Sequence, residues 1–177
     1  MAGGRGTRLD ADVEKPLYPV GGVPMVDRVL GALAGAPVDT VRVACSPHTP
    51  ETRAHVDASV VDTPGEGYVA DLGVVLESVR QPTLTVAADL PLLTADALEP
   101  VLDDYEGGSL AVEVPTALKA RLGVSVDATT PEGDRAPTGV NVVGDGPEDS
   151  YLCYDRRLAV NVNRSRDARI AEVLLCD

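Results

Sequence analysis

Apolar positions along the chain fall into short β-branched runs alternating with longer stretches of helical period. Thr40 to Ala44 alternates apolar and polar and predicts a strand, broken by Ser46-Pro47-His48-Thr49-Pro50. A short helix is expected over Glu51 to Ala58. Val60-Val61 is a second strand, ended by Thr63-Pro64-Gly65-Glu66-Gly67. Tyr68 to Val79 then reads as an amphipathic helix with Val69, Leu72, Val75, Leu76 and Val79 on its buried side. Thr83 to Ala88 is a third strand, closing in Asp89-Leu90-Pro91, and a helix follows from Ala95 to Tyr105. This alternation predicts an α/β fold, a Rossmann-like, mostly parallel sheet flanked by helices. Ligands of such sheets gather at the carboxyl ends of the strands, so Ser46 to Thr49, Gly65 to Gly67 and Asp89 are expected along one edge.

After Gly107 the pattern shortens to strands at Ser109 to Val114, Val124 to Val126, Gly139 to Val143, Tyr151 to Tyr154 and Leu158 to Val162. A helix from about Arg166 to Leu175 ends the chain, and the turn-rich stretch Thr129 to Pro137 reads as a loop beside a substrate. There is no internal repeat and no linker composition, so residues 1–177 are expected to form a single domain.

Composition narrows the class. The 177 residues are 44% hydrophobic but only 3% aromatic, with no Phe and no Trp, which calls for an aliphatic core. No apolar run reaches the length of a membrane span and no leader precedes the first motif, so a cytoplasmic protein is expected. A net charge of −13 disfavours a nucleic-acid partner, and the acids are dispersed along the chain rather than gathered in a tail. With Lys15 and Lys119 as the only lysines, this composition resembles that of proteins kept soluble in high salt. Cys45, Cys153 and Cys176 lack paired spacing and are expected to be buried free thiols.

The candidate chemistry begins at the amino end. Gly3-Gly4-Arg5-Gly6-Thr7-Arg8, closed by Lys15-Pro16, pairs a glycine-rich loop with cations. Glycines let successive N–H groups turn toward an anion while Arg and Lys neutralise it, so the segment suits phosphates. The spacing matches neither the Walker loop nor the dinucleotide fingerprint, and a loose chain end would look similar. Asp89, at the end of an apolar strand, is placed to hold a hard cation against phosphate oxygens, or to close an Asx turn.

These segments, continued by Glu14-Lys15-Pro16-Leu17 and Gly22-Val23-Pro24-Met25-Val26, resemble the opening of the nucleotidyltransferase superfamily that includes sugar-phosphate nucleotidyltransferases and molybdenum-cofactor guanylyltransferases. Asn161-Val162-Asn163, ahead of an Asp-containing terminal helix, resembles a later signature of that superfamily. Ala44 to Pro50, Thr63 to Leu72 and Thr138 to Val143 are similar to the archaeal GTP:adenosylcobinamide-phosphate guanylyltransferases, with molybdenum-cofactor and sugar-phosphate enzymes, or a non-catalytic nucleotide-binding module, as alternatives.

The resemblance implies that GTP and adenosylcobinamide phosphate yield adenosylcobinamide-GDP and pyrophosphate in cobalamin biosynthesis. It implies catalytic roles for Arg8, Lys15 and Asp89, and Mg²⁺ held by Asp89 and Asn163. Nucleotide contacts are implied at Gly3, Gly4, Arg5, Gly6, Thr7, at Ser46, Pro47, His48, Thr49, and at Gly65, Glu66, Gly67. The corrinoid phosphate is placed over Thr138, Gly139 and Asn141. A homodimer is compatible with this reading. The superfamily opens with a buried apolar strand that feeds the glycine loop, and Met1 stands where that strand would end. The first strand is therefore expected to be missing, with apolar residues upstream of Met1 in a longer chain.

Overall fold

The structure is a computed structural model that describes every residue except Arg5, Thr7, Asp10 and Asp177. After the glycine-rich segment, a single turn at Lys15–Leu17 leads into a small antiparallel hairpin, β1 (Pro19–Val20) with β2 (Val23–Pro24), and helix α1 (Met25–Ala34). Then come β3 (Arg42–Cys45), α2 (Pro50–His55), β4 (Ser59–Asp62), α3 (Tyr68–Ser78), β5 (Thr83–Val86) and α4 (Ala95–Asp103). The second half contains β6 (Ser109–Pro115), α5 (Thr116–Leu122), β7 (Arg135–Val143), β8 (Glu148–Leu152), α6 (Arg156–Ala159) and α7 (Ser165–Leu175).

The α/β alternation is as the hydrophobic pattern predicts. β3 and β4 pair in parallel, and β5, β7, β6 and β8 form one sheet in that order. That sheet is mixed: β7 runs antiparallel to β5 and β6, while β8 is parallel to β6. Alternation decides which way the long strands face. Leu110, Val112 and Val114 of β6, and Ala136, Val140 and Val142 of β7, turn into the main core against α1, α4 and α6. A second cluster joins Leu9, Met25 and Val162 to Ala168 and Ala171 of α7, so the amino segment and the terminal helix share one core.

Several expected elements differ. Val124 to Val126 belongs to no strand: it follows the left-handed Gly123 that ends α5, and the Ser125 N–H bonds to Asp167 of α7 instead of a sheet edge. Leu158 and Ala159 belong instead to α6, capped by the Asp155 carboxylate on the Arg157 N–H at 2.8 Å, and Val160 to Val162 follow in no strand. On α3 the buried positions are Asp71 and Val75, whereas Val69 is 83% exposed. The Asp71 carboxylate is held inward by accepting the Gly65 N–H at 2.8 Å. All three cysteines are free, but only Cys45 is buried, with its thiol pushed up by burial; Cys153 is half-buried and Cys176 exposed. No helix among the described residues is long and apolar enough to cross a membrane.

No strand precedes β1 among the described residues, yet Met1 and Ala2 lie between β3 and β5 and bond to both. Met1 donates to the Val86 carbonyl at 2.7 Å and accepts from the Ala88 N–H at 3.1 Å, while Ala2 donates to the Ala44 carbonyl at 2.9 Å. This is the bonding of a parallel strand end. Behind it, between the facing edges of β3 and β5, opens a cleft of about 860 Å³ lined by Val26, Val29, Val43, Val61, Val75 and Val86 among others. Strand edges left unpaired in an apolar groove are unfavourable for the N–H and C=O groups they carry. Adding about six apolar β-forming residues ahead of Met1, a typical strand length, is expected to fill the groove. The melting temperature should rise by several degrees, since each kcal/mol moves it by roughly 2–4 °C in a domain of this size. Calorimetry of the extended and unextended chains checks this; equal melting temperatures would mean that the groove takes no strand.

Candidate active site

Four loops meet beside the carboxyl ends of β3 to β5. Gly6 has a φ of +62°, and a Cβ there would come within 2.6 Å of the Lys15 Cβ, so only glycine lets the loop close over the lysine stem. Gly65 has a φ of +73° and presses against the His48 ring, where a Cβ would lie 2.9 Å from Cδ2. The Ser46 hydroxyl donates to the Gly3 carbonyl at 2.7 Å, which ties the loop after β3 to the glycine-rich amino segment. A cleft of about 490 Å³ results, lined by Gly3, Gly4, Lys15, Gly65, Glu66, Gly67 and Asp89 with neighbouring residues.

Its charged centre is Lys15. The ammonium donates to Asp89 Oδ2 and to Asn163 Oδ1, each at 2.6 Å. Glu14 sets the preceding residue. Its carboxylate accepts the N–H groups of Glu51 and Thr52 at 2.8 and 2.7 Å, and the Thr52 hydroxyl at 2.6 Å, all in the first turn of α2. The lysine backbone is thereby fastened to the helix while its side chain reaches toward β5. Asn163 is set from the other side by Asp167, which is buried and accepts four hydrogen bonds: from the N–H groups of Asn163, Arg164 and Ser125 and from the Ser125 hydroxyl.

Asp89 and Asn163 were expected to share a metal, and they do converge on one point, which a cation already fills in the form of the Lys15 ammonium. A carboxylate and an amide oxygen are hard donors of the type Mg²⁺ takes, with the remaining positions left for water and substrate phosphates. The donor set therefore fits a divalent cation, provided that Lys15 moves toward the phosphates. The described residues contain no cluster of three or more His, Cys, Asp or Glu side chains able to hold a metal by themselves.

The other expected site residues divide by placement. Arg8 is 64% exposed and lies 3.5 Å from the Asp127 carboxylate, which also accepts Arg164 at 2.7 Å. Burial would raise the Asp127 carboxyl, but hydrogen bonds from Arg164 and Ser125, with the charges of Arg164 and Arg8, hold it below its ordinary range. Arg5 and Thr7 lie outside the described residues. Ser46 and Thr49 are buried and bonded to each other, the Thr49 Oγ1 accepting from the Ser46 N–H at 3.1 Å and donating to its carbonyl at 3.3 Å. Pro47 is exposed and His48 is half-buried against Gly65. Thr138 is wholly buried, with its hydroxyl donated to the Val112 carbonyl at 2.9 Å. Gly139 accepts the Ala87 N–H at 2.8 Å, and Asn141 donates to the Tyr68 hydroxyl at 3.2 Å. The turn-rich stretch expected beside a substrate is a loop through residue 134, after which β7 begins at Arg135.

Sequence patterns assign no site role to Glu14, Lys119 or Asp127. Lys119 left one signal, as one of only two lysines in the chain.

Comparison with known proteins places this geometry in a family. The model of the MobA-like NTP transferase domain matches residues 1–175. The chain belongs to this family. As a MobA-like NTP transferase domain it is 29% identical to the adenosylcobinamide-phosphate guanylyltransferase of Methanocaldococcus jannaschii over 193 aligned positions, covering 99% of this chain and 95% of that protein. It is 32% identical over 124 residues to the bifunctional protein GlmU of Exiguobacterium sibiricum, covering 66% of this chain but only 27% of that longer protein. A CMP:2-keto-3-deoxy-manno-octonic acid synthetase solved with CTP shares the fold at a TM-score of 0.64 and 14% identity, over 96% of this chain and 95% of that one.

Proposed function

We propose that this MobA-like NTP transferase moves GMP from GTP to adenosylcobinamide phosphate, releasing pyrophosphate. Near end-to-end similarity to the Methanocaldococcus enzyme carries this reading, and the Lys15–Asp89–Asn163 cluster supplies chemistry suited to it. A phosphate oxygen of the acceptor attacks the α-phosphorus of GTP, the bond from that phosphorus to the β-bridging oxygen breaks, and pyrophosphate leaves. The attacking oxygen is already an anion at neutral pH, so no general base is needed and neither histidine has a proton to move. Positioning and charge neutralisation remain as the tasks of the protein.

Incoming phosphates compete with Asp89 and Asn163 for the Lys15 ammonium and draw it onto the reacting phosphoryl group. Arg8, the most solvent-exposed of these cations, is free to exchange the Asp127 carboxylate for the departing pyrophosphate. Mg²⁺ bound by Asp89 and Asn163 would neutralise charge on the phosphate oxygens. Polar backbone at Gly65 to Gly67 and the His48 segment would face the guanine base, and Gly139 and Asn141 the acceptor.

Incubation with labelled GTP and adenosylcobinamide phosphate tests the reading. Labelled adenosylcobinamide-GDP is expected, with CTP and UTP inactive. Transfer only to a molybdopterin or sugar-phosphate acceptor would replace it, and GTP binding without transfer to any acceptor would reduce the chain to a binding module.

The cell interior, at high salt, is the milieu this reading gives the protein, and the net charge of −13 supports it. Lowering salt to about 0.1 M extends the screening length to roughly 10 Å, so dispersed surface acids repel one another more strongly. The melting temperature is expected to climb from dilute buffer to molar KCl. A flat profile would contradict the salt-adapted reading.

A further inference from the structure

Lys119 is buried to 3% exposure on α5, and the reaction outlined above gives it no task. Its ammonium donates to the Ala159 carbonyl at the end of α6 at 2.8 Å and to Asn161 Oδ1 at 3.0 Å. The other end of that amide, Asn161 Nδ2, donates to Asp89 Oδ1 at 3.1 Å and to the Thr138 carbonyl at 2.7 Å. A continuous line of contacts therefore runs from Lys119 through Asn161 and Asp89 to Lys15.

An asparagine amide has one accepting end and one donating end, and a half-turn about its last bond exchanges them. Here both groups facing Nδ2 are acceptors, and the group facing Oδ1 is an ammonium that can only donate. Turning the amide over would set Oδ1 against the Asp89 carboxylate and the Thr138 carbonyl, and Nδ2 against the ammonium, so all three contacts would become repulsive. Lys119, on the accepting end, joins Asp89 and the Thr138 carbonyl in leaving Asn161 one orientation, and it is the group that holds the amide oxygen in place. Asp89 is constrained in turn: with Oδ1 held by Asn161, Oδ2 is the oxygen presented to the Lys15 ammonium, which Asn163 Oδ1 accepts from as well.

Burying an ammonium is costly, and a methionine of similar length would fill the same space without that cost. Burial lowers the Lys119 pKa, against the pull of the Asp89, Asp167 and Asp127 charges. We infer that Lys119 is a positioning residue for the transfer site, fixing the Asn161 amide and through it the Asp89 carboxylate. The inference rests on the transfer reaction proposed above, but the placement itself can be read without substrate.

The experiment compares Lys119→Met, Lys119→Gln, Asn161→Ala and the Lys119→Met/Asn161→Ala double variant by steady-state transfer from GTP. Alongside, the side-chain amide signal of Asn161 is followed by ¹⁵N NMR, assigned by its absence in Asn161→Asp. Loss of a partner one shell out from a charged centre commonly costs about 10–100-fold. Lys119→Met should lower kcat within that range while changing the KM for GTP less, and the Asn161 amide should lose its slow exchange. Lys119→Gln keeps an N–H donor and should restore much of kcat and the amide signal. In the Asn161→Ala background, Lys119→Met should cost at most a few-fold more. A merely structural lysine would instead lower the melting temperature in Met and Gln variants alike, with kcat and the amide signal unmoved, and that result would overturn the inference. So would additive losses in the double variant. If Lys119→Met does not fold, Lys119→Leu, which also lacks a donor, takes its place beside Lys119→Gln: kcat and the amide signal lost in the Leu variant and largely kept in the Gln variant support the inference, and values unmoved in both, or lost equally in both, overturn it. A chain that folds with a protected Asn161 amide but transfers nothing from GTP would overturn the proposed reaction and leave the placement of Lys119 intact.

Discussion

Lys15→Ala is expected to lower turnover on the order of a hundredfold or more, while GTP affinity falls much less. The lysine stem is packed against Gly6 and its ammonium is shared by Asp89 and Asn163, so the charge is delivered to one place rather than spread over the cleft. Charge builds on the α-phosphoryl group and the leaving pyrophosphate as the reaction proceeds, and a cation held there stabilises the transition state more than the bound nucleotide. Removing it also leaves the Asp89 carboxylate without its partner, facing incoming phosphates of like charge. Steady-state kinetics with direct nucleotide-binding measurements separate the two effects. Equal losses in binding and turnover would show that Lys15 only anchors the nucleotide.

Asp89→Asn should be nearly as damaging, although it alters a single atom. The carboxylate accepts at both oxygens, from Asn161 at one and Lys15 at the other. An amide has only one accepting end, so one of these donors must face an NH₂ group whichever way it turns. The hard-cation donor is lost at the same time. Electrostatic stabilisation worth several kcal/mol corresponds to two or three factors of ten in rate, so a drop of about 10²–10³-fold is expected at low Mg²⁺. Raised Mg²⁺ should recover part of it. The check is activity against Mg²⁺ concentration for the two forms; superimposable curves would return Asp89 to a purely local role in its turn.

Both predictions concern residues that the sequence already marks. A glycine-rich segment followed by cations, and a carboxylate ending an apolar strand, are local patterns whose chemistry can be named before any fold is known. Their convergence is another matter, because Lys15 meets Asp89 across 74 residues and Asn163 across 148. Only the family resemblance anticipated that meeting. Lys119 and Asn161 were harder still: a buried lysine gives no periodic signal distinguishing it from a surface one, and nothing local in Thr116 to Leu122 says that its ammonium will reach Asn161.

Sequence alone determined the order and type of most elements, since hydrophobic periods of two and 3.6 reflect geometry that each segment carries within itself. Residues such as Leu110, Val112 and Val114 can therefore be assigned to a buried strand face directly. Tertiary structure decided what depends on neighbours. It left Val124 to Val126 without a strand partner, brought Asp71 rather than Val69 inward on α3, and opened a groove between β3 and β5 behind Met1. It also joined Lys119, Asn161, Asp89 and Lys15 into one line of hydrogen bonds. The physical reason is that burial and hydrogen-bond satisfaction are properties of the assembled surroundings, whereas local periodicity says only which side of an element is available to them.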